Sequence, residues 1–293
     1  MAFTGNAMNA PGAAQWIAEN DSFPSRAGHR IAFRRKGVGP TVLMLHGFPT
    51  WSYDFAEVAA DLSRDHDVIT LDFLGYGASD KPRRYRYSVS EAADTVEDLL
   101  AFLEVTSVLL LVHDYGVLTS QELVDRDNRR ELSFTIERLT MLNAGIIFSA
   151  YHPTRLQKLL IRPVVGSLLA ACITATRVRG LLDAVREITL TDDEFDELWL
   201  GVSRSRGHKL WHLLIKYNAE RQVHHQRWEA ALAAWTGPIH LVWGVDDPVS
   251  GRQVLELATQ MLPRAAVTAL TGVGHYPHSE VPQAVAGAVR SRE

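Results

Sequence analysis

Short apolar runs that alternate with helical patterns constrain the fold of this chain more than any other feature of its sequence. The clearest run is VLLLV at residues 108–112, because a strand that is buried on both faces of a sheet is apolar at nearly every position. Alternating segments of this kind form a mostly parallel sheet with helices on both faces. The predicted strands span residues 31–34, 41–45, 67–72, 108–112, 139–142, 239–243 and 266–270.

The alternation stops between residues 146 and 235. This stretch has no convincing strand pattern and contains four of the seven tryptophans, which are Trp199, Trp211, Trp228 and Trp235. Because the alternation then resumes without a flexible linker, we predict a helical cap at 146–235, inserted into an α/β core that comprises 1–145 and 236–293. A second independent domain is the alternative. The first thirty residues are expected to form a loosely structured lead-in.

Composition argues against several classes of function. The 30 Lys plus Arg against 34 Asp plus Glu give a formal charge of −4, which argues against a nucleic acid or an anionic membrane surface as the main partner. The single cysteine, Cys172, excludes an intramolecular disulfide and a cysteine-based zinc site, and its apolar neighbours predict that it is buried. No stretch reaches the ~18 apolar residues of a membrane span, and residues 1–25 show no signal peptide. We therefore expect a soluble, cytoplasmic protein.

Two short motifs follow predicted strands. His46-Gly47-Phe48-Pro49 comes directly after residues 41–45, and DFLGYGASDKP occupies residues 72–82. In a parallel sheet, both motifs would lie at the carboxyl edge, where α/β proteins bind their ligands. The second motif contains Gly-Tyr-Gly, which is similar to part of a phosphate loop, but no third glycine opens a helix. A dinucleotide site is therefore not expected, and we predict no cofactor and no metal.

The motif HDYG at residues 113–116 lies between the most apolar strand and a helix. It matches a nucleophile elbow, a tight turn that exposes one side chain, except that Asp114 replaces the serine of esterases. An aspartate with a reference pKa of ~3.9 is ionised at neutral pH and needs no base in order to attack. Its attack on an epoxide carbon or on a carbon bearing a halide gives an alkyl ester, which water cleaves with the help of a base. The alternative is that Asp114 only caps the following helix.

Two further motifs follow the last two predicted strands. GHYPHSE at 274–280 places His275 in a glycine-flanked turn, and WGVDDP at 243–248 contains Asp246 and Asp247. The chain order of nucleophile, acid and base is that of α/β-hydrolases. His275 is the candidate base, and either Asp247, which we prefer, or Asp246 would orient its imidazole.

These motifs resemble the α/β-hydrolase superfamily, in the branch of epoxide hydrolases and haloalkane dehalogenases. HGFPTWSYDF, DFLGYGASDKP, HDYG, NAGI and PIHLVWGVDDPV are most similar to proteins of the mesoderm-specific transcript type, and the similarity runs from about residue 30 to 285. The resemblance implies an α/β-hydrolase fold with an inserted helical cap. It also implies that Asp114 is the nucleophile, His275 the base and Asp247 the acid, and that the backbone N–H groups of Phe48 and Tyr115 form the oxyanion hole.

The two branches differ at positions that can be identified in this sequence. Haloalkane dehalogenases bind the leaving halide with a Trp after the nucleophile and a second side chain near the oxyanion turn, whereas this chain has Tyr115 and Phe48 there. Epoxide hydrolases protonate the epoxide oxygen with cap tyrosines, and a phenol with a pKa of ~10 is suited to that task. The segment that begins with Tyr217 resembles the corresponding region, and Tyr151 is a possible second donor.

We therefore predict a cofactor-free epoxide hydrolase that acts on a small hydrophobic electrophilic substrate and water. Haloalkane dehalogenation by the same nucleophile is the alternative within the branch. A non-catalytic ligand-binding protein on a hydrolase scaffold is the alternative from another class, because a fold does not imply an activity. A homodimer is left open.

Overall fold

The computed structural model describes residues 10–291, and its centre is one sheet of eight strands. Their order across the sheet is β1-β2-β4-β3-β5-β6-β7-β8; the pairs β1–β2 and β2–β4 are antiparallel, and all other neighbours are parallel. The predicted mostly parallel sheet is therefore confirmed. The strands are β1 (Asp21–Pro24), β2 (Arg30–Lys36), β3 (Thr41–Leu45), β4 (Asp67–Leu71), β5 (Ser107–Val112), β6 (Thr135–Met141), β7 (Ile239–Gly244) and β8 (Ala266–Leu270).

Thirteen α-helices flank or follow these strands in the described part of the chain. They are α1 (Ala13–Ala18), α2 (Ala56–Leu62), α3 (Val89–Phe102), α4 (Tyr115–Asn128), α5 (Arg155–Leu160), α6 (Pro163–Ala171), α7 (Ala175–Asp183), α8 (Asp192–Ser203), α9 (Trp211–Leu214), α10 (Tyr217–Ala234), α11 (Arg252–Met261), α12 (Pro277–Glu280) and α13 (Pro282–Arg290). Three 3₁₀ helices lie at Ser52–Phe55, Phe148–Ala150 and Arg204–Leu210. The helices from α5 to α10 all lie between β6 and β7, and residues 146–235 are called the inserted segment below.

The expected loose lead-in is wrong for residues 10–30, and residues 1–9 lie outside the described residues. Helix α1 and strand β1 form there, and Trp16 and Phe23 are buried in the core. Trp16 donates its indole N–H to Ser52 Oγ at 3.1 Å, and the guanidinium of Arg34 lies over its ring. The sequence pattern is weak because this helix of 6 residues and strand of 4 residues are stabilised by distant partners rather than by their own periodicity.

The inserted segment departs from the sequence prediction at Cys172. Helices α6 and α7 meet there with a bend of 108° between them. Cys172 lies at this bend and is exposed, so its predicted burial is wrong. Its neighbours Ala170 and Ile173 are buried, but Cys172 itself is the C-terminal cap of α6 and lies on the exposed side of the chain. No single helix of residues 10–291 is long and apolar enough to cross a membrane; the bent pair α6–α7 passes the same test of length and composition.

Helix α10 is the longest helix in residues 10–291 and connects the inserted segment to the core. It packs against α4, where the indole N–H of Trp228 donates to Glu122 Oε2 at 2.8 Å. The fully buried Trp51 makes a second connection, because its indole N–H donates to the carbonyl of Leu198 on α8 at 2.9 Å. These contacts hold the inserted segment over the carboxyl ends of the central strands.

Candidate active site

Asp114 lies at the turn between β5 and α4, with a backbone φ of +44°. Its side chain makes no capping hydrogen bond to α4 and instead accepts the backbone N–H of Phe48 on Oδ1 at 3.0 Å. Gly47 permits this close approach, since a Cβ at that position would lie 2.6 Å from Asp114 Cβ. The geometry therefore does not support the alternative that Asp114 serves only as a helix cap.

His275 follows β8 and lies between two carboxylates. Its Nδ1 is 2.6 Å from Asp247 Oδ2, and its Nε2 is 3.8 Å from Asp114 Oδ2. Asp246 accepts the backbone N–H of Gly272 at 2.7 Å instead, at an exposed position. The structure thus brings together Asp114, His275 and Asp247, with His275 in contact with both carboxylates, an arrangement that permits a nucleophile, a base and an orienting acid. Their catalytic roles stay predictions.

The electrostatics of His275 are set by Asp247. Burial lowers the pKa of His275, but the charge of Asp247 and its hydrogen bond outweigh burial, and the net shift is upward. Burial raises the pKa of Asp247, yet the charge of His275 and the hydrogen bonds from Ser250 and Val249 leave it below its ordinary value. Asp247 therefore stays ionised and stabilises a protonated imidazole.

Two further residues support this pair. Asn143 follows β6 and donates its amide to Asp247 Oδ2 at 3.0 Å and to the carbonyl of Gly244 at 2.8 Å. His113 hydrogen-bonds through Nε2 to the carbonyl of His275 at 2.8 Å. Burial holds the pKa of His113 well below its ordinary value, so the ring stays neutral and donates that bond. The signal for Asn143 was its position directly after a strand at the same edge of the sheet.

The loops after β3 and β4 are tied together behind the site. His46 accepts the backbone N–H of Phe73 on Nε2 at 3.1 Å, and Asp72 accepts the backbone N–H groups of Ser52 and Ala78 at 3.0 and 2.7 Å. Hydrogen bonds between residues 46–52 and the motif at residues 72–82 therefore stabilise the turn that carries Phe48. The N–H of Phe48 donates to Asp114. The N–H of Tyr115 lies in the first turn of α4, where a backbone N–H has no carbonyl acceptor within the helix.

The hydroxyl groups of the two tyrosines in the inserted segment have different partners. Tyr217 begins α10, is buried, and its hydroxyl lies 3.4 Å from Asp114 Oδ1. Burial and the charge of Asp114 raise the pKa of Tyr217 well above its ordinary value, so the phenol keeps its proton. The hydroxyl of Tyr151 donates to Gln157 at 3.0 Å, and its ring lies against the guanidinium of Arg221. Sequence reasoning missed Arg221, because nothing in its local pattern marks it as buried.

The chain belongs to the α/β-hydrolase fold family, whose model matches residues 40–282. Within residues 10–291, no group of three or more His, Cys, Asp or Glu residues is arranged to hold a metal ion.

The chain is 37% identical over 289 residues to a putative hydrolase of Mycobacterium tuberculosis, LipZ, and the match covers 97% of this chain and 99% of the relative. It is 38% identical over 258 residues to the human mesoderm-specific transcript homolog protein, covering 84% of this chain and 76% of the relative. The crystal structure of a haloalkane dehalogenase from Bradyrhizobium elkani superposes with a TM-score of 0.77 at 24% identity, covering 92% of this chain and 97% of that one. The family and the resemblance carried by the motifs are thereby confirmed.

Proposed function

We propose that this α/β-hydrolase is an epoxide hydrolase that works through an alkyl-enzyme ester on Asp114. The single observation that carries the proposal is the buried phenol of Tyr217, which stands 3.4 Å from one oxygen of Asp114 while His275 stands 3.8 Å from the other. Epoxide opening followed by ester hydrolysis requires a carboxylate nucleophile, a protonated acid and a histidine base close to one another, and these three groups are present here.

In the first step, Asp114 Oδ2 attacks an epoxide carbon and the carbon–oxygen bond of the ring breaks. The electron pair goes to the epoxide oxygen, which takes the proton of Tyr217. Oδ1 becomes the carbonyl oxygen of the ester, where the N–H of Phe48 already binds at 3.0 Å. The negative charge of the nucleophile is lost as the ester forms, and the phenolate of Tyr217 is left to be reprotonated.

In the second step, His275 takes a proton from water, and the hydroxide attacks the carbonyl carbon of the ester. The oxyanion that forms on Oδ1 is stabilised by the N–H groups of Phe48 and Tyr115. The bond between the carbonyl carbon and Oδ2 then breaks. Of the two protons from water, one goes to the second hydroxyl of the diol and the other restores Tyr217. The negative charge of Asp247 stabilises the imidazolium of His275 while His275 holds the proton.

We further propose that the inserted segment, residues 146–235, is a cap on a core made of 1–145 and 236–293. Support comes from Tyr217, which reaches Asp114 from α10, and from Trp51 and Trp228, which fasten the segment to the core. The cap would supply the proton donor and exclude water from the ester until hydrolysis.

The geometry favours an epoxide over a haloalkane. The side chain of Phe48 has no N–H group, and the hydroxyl of Tyr115 donates to the carbonyl of Ser88 at 3.1 Å. Neither side chain is therefore arranged to bind a leaving halide. A phenol beside the nucleophile is instead suited to the alkoxide that an epoxide generates.

The test is to trap the ester. In His275→Gln the hydrolytic base is lost, so incubation with epoxides should add the mass of the epoxide to the intact protein, on the peptide that contains Asp114. The double variant His275→Gln/Asp114→Asn should remain unmodified. An adduct with haloalkanes but not epoxides would replace the proposal with dehalogenation. No adduct with either, together with no turnover by the wild type, would favour a binding protein.

A further inference from the structure

Arg221 is buried, and within residues 10–291 none of its three guanidinium nitrogens makes a hydrogen bond of normal geometry. The residue is 2% exposed, and its one polar neighbour of note is the hydroxyl of Tyr151, where the guanidinium opposes the rise in pKa that burial causes. Arg227, further along α10, shows the usual arrangement for a cation, since it pairs with Glu122 and Asp125. Arg221 therefore stands out as a charged group whose bonding capacity the protein itself does not use.

The guanidinium of Arg221 lies next to the candidate active site. Its Cζ is 4.0 Å from the ring centre of Tyr151 and 5.7 Å from that of Tyr217, whose hydroxyl contacts Asp114. Gly145, in the loop after β6, provides the space, because a Cβ there would lie 2.5 Å from Arg221 Nη1. The absence of a side chain at Gly145 therefore allows the guanidinium of Arg221 to occupy this position.

An unpaired buried arginine is costly. A guanidinium is a permanent charge in proteins, and burying a charge without a partner carries a large desolvation penalty. The two tyrosine rings stabilise it through cation–π contacts, but a ring offers no hydrogen-bond acceptor in the guanidinium plane. Buried charges in proteins are normally paired, and an anion brought by a ligand would satisfy this one.

We propose that Arg221 binds a carboxylate group of the substrate, an inference that rests on the proposed function because it places that carboxylate beside the reacting epoxide. A carboxylate accepts two parallel hydrogen bonds from a guanidinium and matches its planar shape. The pairing also offsets the repulsion that an anionic substrate would meet from Asp114. The substrate class is accordingly an epoxy acid rather than an uncharged epoxide.

The position of Arg221 also limits the length of that substrate. The guanidinium Cζ of Arg221 lies 5.7 Å from the ring centre of Tyr217. The carboxylate and the oxygen that Tyr217 protonates are then only a few bonds apart. This spacing fits a short 2,3-epoxy acid and does not fit an epoxide at the far end of a long chain.

The kinetic test compares 2,3-epoxybutanoate with its uncharged amide, 2,3-epoxybutanamide. We expect kcat/KM of the wild type to favour the acid, and Arg221→Met to lower the value for the acid about 100-fold while changing that for the amide less than ~3-fold. Arg221→Lys, which keeps the charge and loses the planar fork, should lie between these limits. Arg155→Met, at an exposed cation of the inserted segment, is the matched control and should change neither value.

Two outcomes would overturn the inference while leaving the proposed function intact. One is wild-type turnover of both epoxides with no preference for the acid. The other is an equal loss on both substrates in Arg221→Met, which would mean that the guanidinium acts at the reacting oxygen or supports the fold. A thermal melt separates these cases: removal of an unpaired buried charge should raise Tm, whereas loss of a structural contact should lower it.

A binding measurement tests the inference without turnover. Calorimetry should detect butyrate binding to the wild type, no binding of butyramide, and loss of butyrate binding in Arg221→Met. If no epoxide is turned over but this pattern holds, the proposed function fails and the carboxylate site stands. If epoxides are turned over but butyrate binds equally to wild type and Arg221→Met, the carboxylate site fails and the function stands.

Discussion

The two walls of the candidate site are built differently. On the core side, Asp247 accepts hydrogen bonds from Asn143, Ser250 and Val249 and binds His275, so that its position is fixed by several partners. On the side of the inserted segment, Tyr217 makes one long contact to Asp114, and Arg221 makes no hydrogen bond of normal geometry within residues 10–291. A polar network with all its hydrogen bonds made holds its groups rigidly, whereas the guanidinium of Arg221 would gain its partner from the substrate carboxylate proposed above.

The contrast suggests a division of tasks. The core carries charges that are already balanced, as in the pair of His275 and Asp247, and it would supply the chemistry common to any alkyl ester. The inserted segment carries a protonated phenol and an unbalanced cation, and it would select the substrate. Changes on the core side should therefore affect every substrate, whereas changes on the other side should affect some substrates or one step.

The largest effect is expected from Asp247→Asn. Loss of the acid of a triad lowers turnover by up to about 10⁴-fold, because the imidazolium loses its stabilising charge and the ring its orientation. In the wild type the pKa of His275 is raised, so the neutral base is lost, and turnover falls, as the pH drops through a value above ~6.5. In Asp247→Asn this acidic limb should move to lower pH, which a profile of turnover against pH would measure.

Asp54→Asn is the matched control for that profile. Asp54 lies 3.8 Å from the buried His278, three residues after His275, and burial holds the pKa of His278 below its ordinary value. Removal of this second carboxylate should leave the acidic limb unchanged. A limb that shifts in Asp54→Asn and not in Asp247→Asn would contradict the assignment of the acid.

A smaller effect is expected from Tyr217→Phe. Loss of a general acid slows the step that it assists by about 10²-fold, and here that step is ring opening. In the His275→Gln background, intact mass against time would measure formation of the ester, which should be slowed. Hydrolysis of the ester, measured in the Tyr217→Phe single variant by single-turnover kinetics, should keep the wild-type rate. Equal rates of ester formation with and without the hydroxyl would remove Tyr217 from the mechanism.

The smallest effect is expected from Tyr151→Phe. Its hydroxyl donates to Gln157 and not to Asp114, and the phenylalanine ring that replaces it would still lie against Arg221. The lost hydrogen bond should lower the free energy of unfolding by about 1 kcal/mol, and turnover of epoxides should change less than ~3-fold. Urea denaturation and steady-state kinetics measure the two quantities. A loss as large as that of Tyr217→Phe would instead make Tyr151 a second proton donor.

Much of the core could be predicted because it depends on local patterns. The apolar run at 108–112 marks a buried strand by itself, and the motif after it identifies the turn that holds Asp114. The bounds of helix α10 were not predicted within the helical segment at 146–235, since its buried residues are few and the helix is stabilised by contacts with α4. Cys172 was placed wrongly because local apolarity does not reveal which side of a helix faces the core.

The sequence by itself determined which chemical groups follow which strands, because strand periodicity and the residues of a turn act over only a few positions. Only the tertiary structure decided that Asp247 rather than Asp246 faces His275, and that the hydroxyl of Tyr217 reaches Asp114. The same holds for Arg221, which is buried by residues far from it in the chain. These contacts join groups that are 28 residues apart in sequence for Asp247 and His275 and 103 residues apart for Tyr217 and Asp114, and no local pattern records them.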